Sequence, residues 1–350
     1  MNAAGISHLY QQLPVQYFIS DVNGHPRSID EIVSFLQRYK SYPGYTPQYS
    51  TMLDYLMTSK VLNWDDILAF ATPRAIAHCV LGEPVDLDWN YNDLPVAKVL
   101  ESGFFQNSVP EAVFVPRTSI LMLRAVYDRI FPRHNTQGVW SSSEALTLLE
   151  ALGGVVLLET SKPVGLAFEE FVIARERLVR AALKVLMPSS SIVNNLLDLY
   201  GSGSRLKRQM RFPGIKRPDF HPEKVFLILA PLSGTITVNE DFPSEKGLKK
   251  LFSAHTSPLK HVIRGKDNQK GHDLTVLHMR LHAGQMELVA LSIECKFTGM
   301  AADGSGLNST TLTSEQINSK LLDSISLYQN ASGTAPFSDL LLTCLLRRPL

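Results

Sequence analysis

The spacing of apolar residues changes character near residue 200. Before it, apolar positions recur at three- and four-residue intervals, the period of an amphipathic helix; after it, short aliphatic and β-branched runs alternate with turn residues. Ser28-Ile-Asp-Glu31 has the form of a capping box opening a helix through Ile32, Phe35 and Leu36. Asn63-Trp-Asp-Asp66 predicts a second helix start, with its acids in the favourable first turn. Further helices are expected over Arg117–Phe131, over Glu144–Leu152 up to Gly153-Gly154, over Leu166–Met187 up to Pro188, and over Ser190–Tyr200. In the longest of these, Phe168, Phe171, Val172, Leu178, Ala182, Leu183 and Leu186 follow the helical period. Arg175, Glu176, Arg177, Arg180 and Lys184 fall mainly on other faces, read as a solvated face with intrahelical charge pairs. Contact with a partner or a nucleic-acid backbone is the alternative for that face.

Gly201-Ser-Gly-Ser204 marks the best boundary in the chain. Beyond it, Val225–Leu229, Gly234–Val238 and His261–Arg264 read as strands, and Ser244 caps a helix to about Ala254. Thr313-Ser-Glu-Gln316 is a capping box for a helix to about Gln329, and Asp339–Leu346 is apolar enough for a buried parallel strand. Between them, Asp273–Phe297 reads as a hairpin. With Gly284-Gln285 as its two-residue loop, His282 faces Glu287, Thr275 faces Glu294 and Asp273 faces Lys296. Opposed residues share a face, so Asp273, Glu294 and Lys296 gather at one end of the hairpin. The expected organisation is α+β and multidomain: a mostly helical accessory region over 1–200, a basic flexible linker over 201–220, and an α/β domain over 221–350.

Composition narrows the function. The 350 residues are 45% hydrophobic and 19% charged, with no apolar run approaching a membrane span, as expected of a soluble chain. The N-terminus lacks the basic and apolar blocks of a secretory signal, so the expected location is intracellular, cytoplasmic or, in a eukaryotic cell, nuclear. Cys79, Cys295 and Cys344 are widely spaced, with no Cys-x-x-Cys for a zinc knuckle. Neither a P-loop nor a Gly-x-Ser-x-Gly elbow occurs, and His78-Cys79 has no signature of a catalytic dyad. His278 and His282, on the face opposite the acidic cluster, are about 13 Å apart at ~3.3 Å per residue, too far to share a metal.

The net charge of +1 is unevenly spread. Residues 201–300 hold sixteen Lys/Arg against nine Asp/Glu, whereas 1–200 hold fifteen against twenty. Arg205, Lys207, Arg208, Arg211, Lys216 and Arg217 crowd the linker with apolar residues between them, a segment suited to a phosphate backbone. A solvated linker or a nuclear-import-like signal is the alternative.

The order from Ser244 onward is helix, three strands, helix, strand. Asp273 begins the second of these strands, and Glu294-Cys295-Lys296, the chain's one Asp/Glu-x-Lys, ends the third. This αβββαβ order and motif resemble the PD-(D/E)xK, or restriction-endonuclease-like, nuclease superfamily, over roughly residues 240–350. The residue before Asp273 is His272, where the family name has Pro.

The resemblance implies a metal-dependent nuclease acting on DNA, with RNA the alternative. It implies Asp273, Glu294 and the Cys295 carbonyl as ligands of Mg²⁺ or Mn²⁺, and Lys296 as the residue that activates water or stabilises charge. It also implies Glu245, in the preceding helix, as a further acid at the metal, and Gln316 as a polar catalytic residue from the following helix. The chemistry is apt, since carboxylates are hard oxygen ligands and an ion holding waters takes up phosphate oxygens. A separate ATPase or other protein partner and a homodimer are compatible with this reading; a membrane partner is not expected. The rival reading is a non-catalytic interaction or scaffold protein with an inactive nuclease-like module, in which Asp273 and Lys296 form only a cross-strand salt bridge.

Overall fold

The computed structural model describes residues 25–39, 47–81, 120–132, 138–155, 164–186, 192–193, 226–228, 232–238, 250–251, 253–254, 258–265, 273–282, 285–296 and 342–347, with isolated positions before residue 23 and short pieces between 85 and 118. The fold is α+β. It divides into two compact units, one of Met1–Leu157 with Ala181–Leu186 and Leu350, the other of Leu158–Arg180 with Met187–Pro349.

The first unit contains helices α1 (Pro26–Tyr39), α2 (Tyr49–Thr58), α3 (Trp64–Phe70), α4 (Pro73–Leu81), α5 (Ile120–Ile130) and α6 (Ser143–Gly153). Two-residue antiparallel pairings, such as Val85-Asp86 with Val113-Phe114, join them; helical periodicity did not anticipate these. Ser28 does not cap α1 as expected. The helix begins at Pro26, whose fixed φ suits a first helical position. His25 takes the cap, its Nδ1 2.8 Å from Ser28 Oγ and accepting the Ser28 N–H at 3.3 Å. Asn63 and Ser142 cap α3 and α6 through side-chain oxygens.

Gly153, closing α6, is a close-approach glycine: a Cβ there would meet Tyr127 Cζ of α5 at 2.7 Å. Arg124 of α5 donates to the carbonyls of Gly153 and Val155, satisfying backbone oxygens at the end of α6.

The second unit is built on a seven-stranded sheet of β1 (Ile192–Val193), β2 (Phe226–Ile228), β3 (Gly234–Thr237), β4 (His261–Arg264), β5 (Leu274–His282), β6 (Gln285–Lys296) and β7 (Leu342–Arg347). Its main path runs β7-β6-β5-β4-β3. The β4–β5 and β5–β6 pairs are antiparallel, and β7 lies parallel to β6. A parallel partner requires a crossover of a dozen or more residues, which residues 297–341 are long enough to supply. Residues Leu274 to Val276 and Leu277 are all buried, as are Ile293, Val262 and Ile263, so this end of β5 is covered on both faces.

Two expectations are corrected here. Ile192 and Val193, predicted helical, are extended and pair with Ile228 and Leu227; two adjacent β-branched residues favour that state once an apolar strand is available. The long helix, α7 (Val164–Leu186), was grouped with the N-terminal region on a solvated charged face. Its residues through Arg180 belong instead to the unit of the sheet.

Carbonyls of that unit engage Arg177 and Arg180 of α7. On one edge of β5, β4 covers residues 274–276 and β2 covers 279–281, which leaves Leu277 between them. Arg180 is 2% exposed; its Nη2 donates to the Leu277 carbonyl at 3.3 Å and its Nη1 to the Leu259 carbonyl at 3.2 Å. A buried carbonyl without a donor costs stability, and a guanidinium fork can serve two at once. Glu176, one turn earlier, is also fully buried and pairs with Arg175 at 3.3 Å. Arg177 donates to the Ser233 carbonyl at 2.7 Å. The expected linker over 201–220 and the helix over 313–329 lie outside the described residues; of the helix after Ser244, residues 250–251 and 253–254 are helical.

Candidate active site at the open end of the β5–β6 hairpin

The hairpin forms, in a register two residues away from the expected one. His282 pairs with Gln285, Arg280 with Glu287, Leu277 with Ala290, Thr275 with Ser292 and Leu274 with Ile293. The two residues between the strands, Ala283 and Gly284, lie outside the described residues. The expected pairs His282–Glu287, Thr275–Glu294 and Asp273–Lys296 therefore do not occur. In the observed register Arg280 is the partner of Glu287, where the expected register set it against Val289. A slip of two leaves every residue of the ladder on its original face, whereas a slip of one would have exchanged the faces. Thr275, Ser292, Glu294 and Lys296 thus keep a common face.

Asp273 stands just beyond the ladder, half-buried. Its carbonyl accepts the Gly265 N–H, and its own N–H donates to the Ile293 carbonyl, each at 3.1 Å. Asp273 and Leu274 therefore both oppose Ile293, the two-against-one arrangement of a bulge, a device that re-aims a side chain at the end of a pairing. The backbone of Asp273 is bonded to the residue immediately before Glu294. Two carboxylate-bearing positions more than twenty apart in sequence are thus neighbours at one end of one strand pair.

Alternate residues of a strand bond alternate neighbours. Arg264 accepts from Val238 N–H of the strand beyond it, while Gly265 bonds Asp273. Followed across the sheet, this alternation makes the odd-numbered residues of β6 address β5 and the even-numbered ones β7. The carbonyl of Cys295 is therefore directed to the side on which β5 has already ended. By residue type, an Asp, a Glu and a main-chain oxygen are the hard-oxygen chemistry that Mg²⁺ and Mn²⁺ take.

Glu245, Gln316 and the basic residues Arg205, Lys207, Arg208, Arg211, Lys216 and Arg217 all lie outside the described residues. Among the described residues, no three His, Cys, Asp or Glu side chains gather as a metal cluster; the side chains of Glu294 and Cys295 are not in that set. Also among the described residues, no helix is long and apolar enough to cross a membrane.

Sequence reasoning passed over two residues at this end of the sheet. Arg264 closes β4 directly across from Leu274, and its Nη2 lies 2.6 Å from Glu169 Oε2 of α7. A cation ending an apolar strand, a few residues before the one that carries Asp273, was the available signal. Cys79 is fully buried in α4, and burial pushes its thiol pKa well above the ordinary range, which agrees with a structural rather than nucleophilic cysteine. In comparisons with known proteins, no family model, no curated protein and no solved structure matches the chain.

Proposed function

We propose that this protein is a metal-dependent nuclease that hydrolyses phosphodiester bonds, DNA before RNA, with its active site at the open end of the β5–β6 hairpin. The observation that carries the reading is the bond from Asp273 N–H to the Ile293 carbonyl, which ties the backbone of Asp273 to the residue before Glu294-Cys295-Lys296. The strand order supports it as well. An antiparallel run β4-β5-β6 followed by β7 is compatible with the three strands and final strand of the αβββαβ order on which the resemblance rests.

Asp273 and Glu294 would hold Mg²⁺ or Mn²⁺ with the Cys295 carbonyl as a further ligand; such an ion, when bound, supplies Lewis acidity and a water of lowered pKa. Lys296, two residues past Glu294 on the same face, orients the attacking water or stabilises the charge that builds on the phosphate. The bulge at Asp273 fixes the carboxylate-bearing residue through two backbone bonds, so the position is built on the sheet rather than on a free loop.

The test is cleavage of plasmid and single-stranded DNA with Mg²⁺, Mn²⁺ or EDTA, comparing wild type with Asp273→Ala and Lys296→Ala. Metal-dependent cutting that disappears in both variants supports the assignment. Cutting that survives in both removes it, because the activity would then come from another centre.

A further inference from the structure

Arg264 and Glu169 form a partly buried charge pair. The two side chains retain 21% and 18% exposure and approach to 2.6 Å, with the buried Arg264 Nη2 outside hydrogen-bond alignment to the carboxylate. The carboxylate neutralises the guanidinium without engaging that donor in good alignment. Arg180 in the same unit is the contrast: both of its terminal nitrogens donate to carbonyls of the fold. A guanidinium carries five donors in a fixed fork that matches the oxygens of a phosphate.

Its position adds to this. Arg264 lies opposite Leu274, and the next residue, Gly265, bonds Asp273. Neighbouring strands are ~4.8 Å apart, so the backbones of Arg264 and Glu294 are separated by about two strand spacings, roughly 10 Å. Alternation places Arg264 on the face of Leu274 and Glu294 on the other; Asp273, drawn towards Ile293, stands at the end of the sheet between them. A strand with a phosphate at every nucleotide would have to round this end of the sheet, past Asp273, to meet both.

Resting on the nuclease reading, we propose that Arg264 binds a backbone phosphate of the nucleic acid beside the one that is hydrolysed, with Glu169 as the counter-ion that holds the guanidinium when no nucleic acid is present. The exchange is of one anion for another: a phosphate takes the donor that the carboxylate leaves unaligned. Phosphate contacts of this type position a substrate without reading its sequence.

The experiment is equilibrium binding of a labelled single-stranded DNA to the full chain in EDTA, so that cutting does not intervene, across a salt series. Wild type is compared with Arg264→Ala, Arg264→Lys and Glu169→Gln, and thermal melting is followed for each. Loss of one phosphate contact lowers the slope of log K against log salt by about 0.7 for a single strand. Arg264→Ala is expected to show that fall with several-fold weaker binding, Arg264→Lys to keep the wild-type slope, and Glu169→Gln to keep the slope and bind as well or better. An unchanged slope in Arg264→Ala overturns the proposal and leaves the nuclease reading standing. So does an equal fall in Glu169→Gln, since the pair would then matter only to the fold. A wild type that neither binds nor cuts nucleic acid would remove both.

Discussion

The backbone N–H of Asp273 donates to the carbonyl of Ile293 at 3.1 Å, one residue short of the Glu294 position that an uninterrupted ladder would give it. The bond ties the start of β5 to the step before Glu294 while freeing Asp273 from regular alternation. If the carboxylates bind a divalent ion, Asp273→Asn keeps the shape and the backbone bonds but removes a charged ligand. Metal contributes several kcal/mol of charge stabilisation to such a reaction, and 1.36 kcal/mol is tenfold in rate. The variant should lose roughly a hundredfold or more in cleavage rate. It should also lose the rise in melting temperature that Mg²⁺ gives the wild type, since a ligand stabilises only the state that binds it. An undiminished Mg²⁺ shift would place the metal elsewhere.

Arg180 predicts a cost to stability without a cost to chemistry. Arg180→Ala leaves the Leu259 and Leu277 carbonyls without their charged donors, at about 1–3 kcal/mol for each unsatisfied group. Urea unfolding should report a loss of roughly that size or more. Arg180→Lys, with a single ammonium in place of a fork, should recover only part of it. A near-neutral Arg180→Ala would mean that water or a neighbour serves both carbonyls.

These two sites mark where the sequence was readable and where it was not. The hairpin was legible because apolar runs frame it, and because the slip was even Glu294 and Lys296 keep Thr275's face in either register, whereas Asp273 leaves the regular alternation. The bulge at Asp273 was not legible, since no local residue type distinguishes a bonded Ile293 carbonyl from a bonded Glu294. Glu176 and Arg180 misled in another way. Periodicity assigns charges to solvent, and only the gap between β4 and β2 on β5 explains a buried arginine on α7. Pro26 was the missed signal for the start of α1, outweighed by a well-formed capping box two residues later.

Trp64 and Arg129 meet over one acceptor. Trp64 Nε1 and Arg129 Nη2 each donate to the Met57 carbonyl at 2.9 Å, near the end of α2, and the guanidinium carbon lies 4.6 Å from a ring centroid of Trp64. A double-mutant cycle with Trp64→Leu and Arg129→Met should give a coupling of about 0.5–2 kcal/mol in urea unfolding, the range of a cation–π contact from exposed to desolvated. Strict additivity would show that the two side chains serve Met57 independently.

His25 makes the stability of α1 depend on pH, and its sign follows from the cap. Burial first, then the charge of Arg27, lowers its pKa from the ordinary value of 6.5. The neutral ring is the form that can accept the Ser28 N–H at Nδ1. A histidine with a lowered folded pKa binds protons more readily when unfolded, so its contribution is fully present above the unfolded value and is lost as pH falls from there through the folded value. Stability of the first unit, measured by urea unfolding followed at Trp64, should therefore decline below pH 6.5. His25→Asn keeps a side chain that caps well and does not titrate, and should flatten this part of the pH profile. If the decline persists unchanged in His25→Asn, the titrating group is another residue and His25 caps α1 without sensing pH.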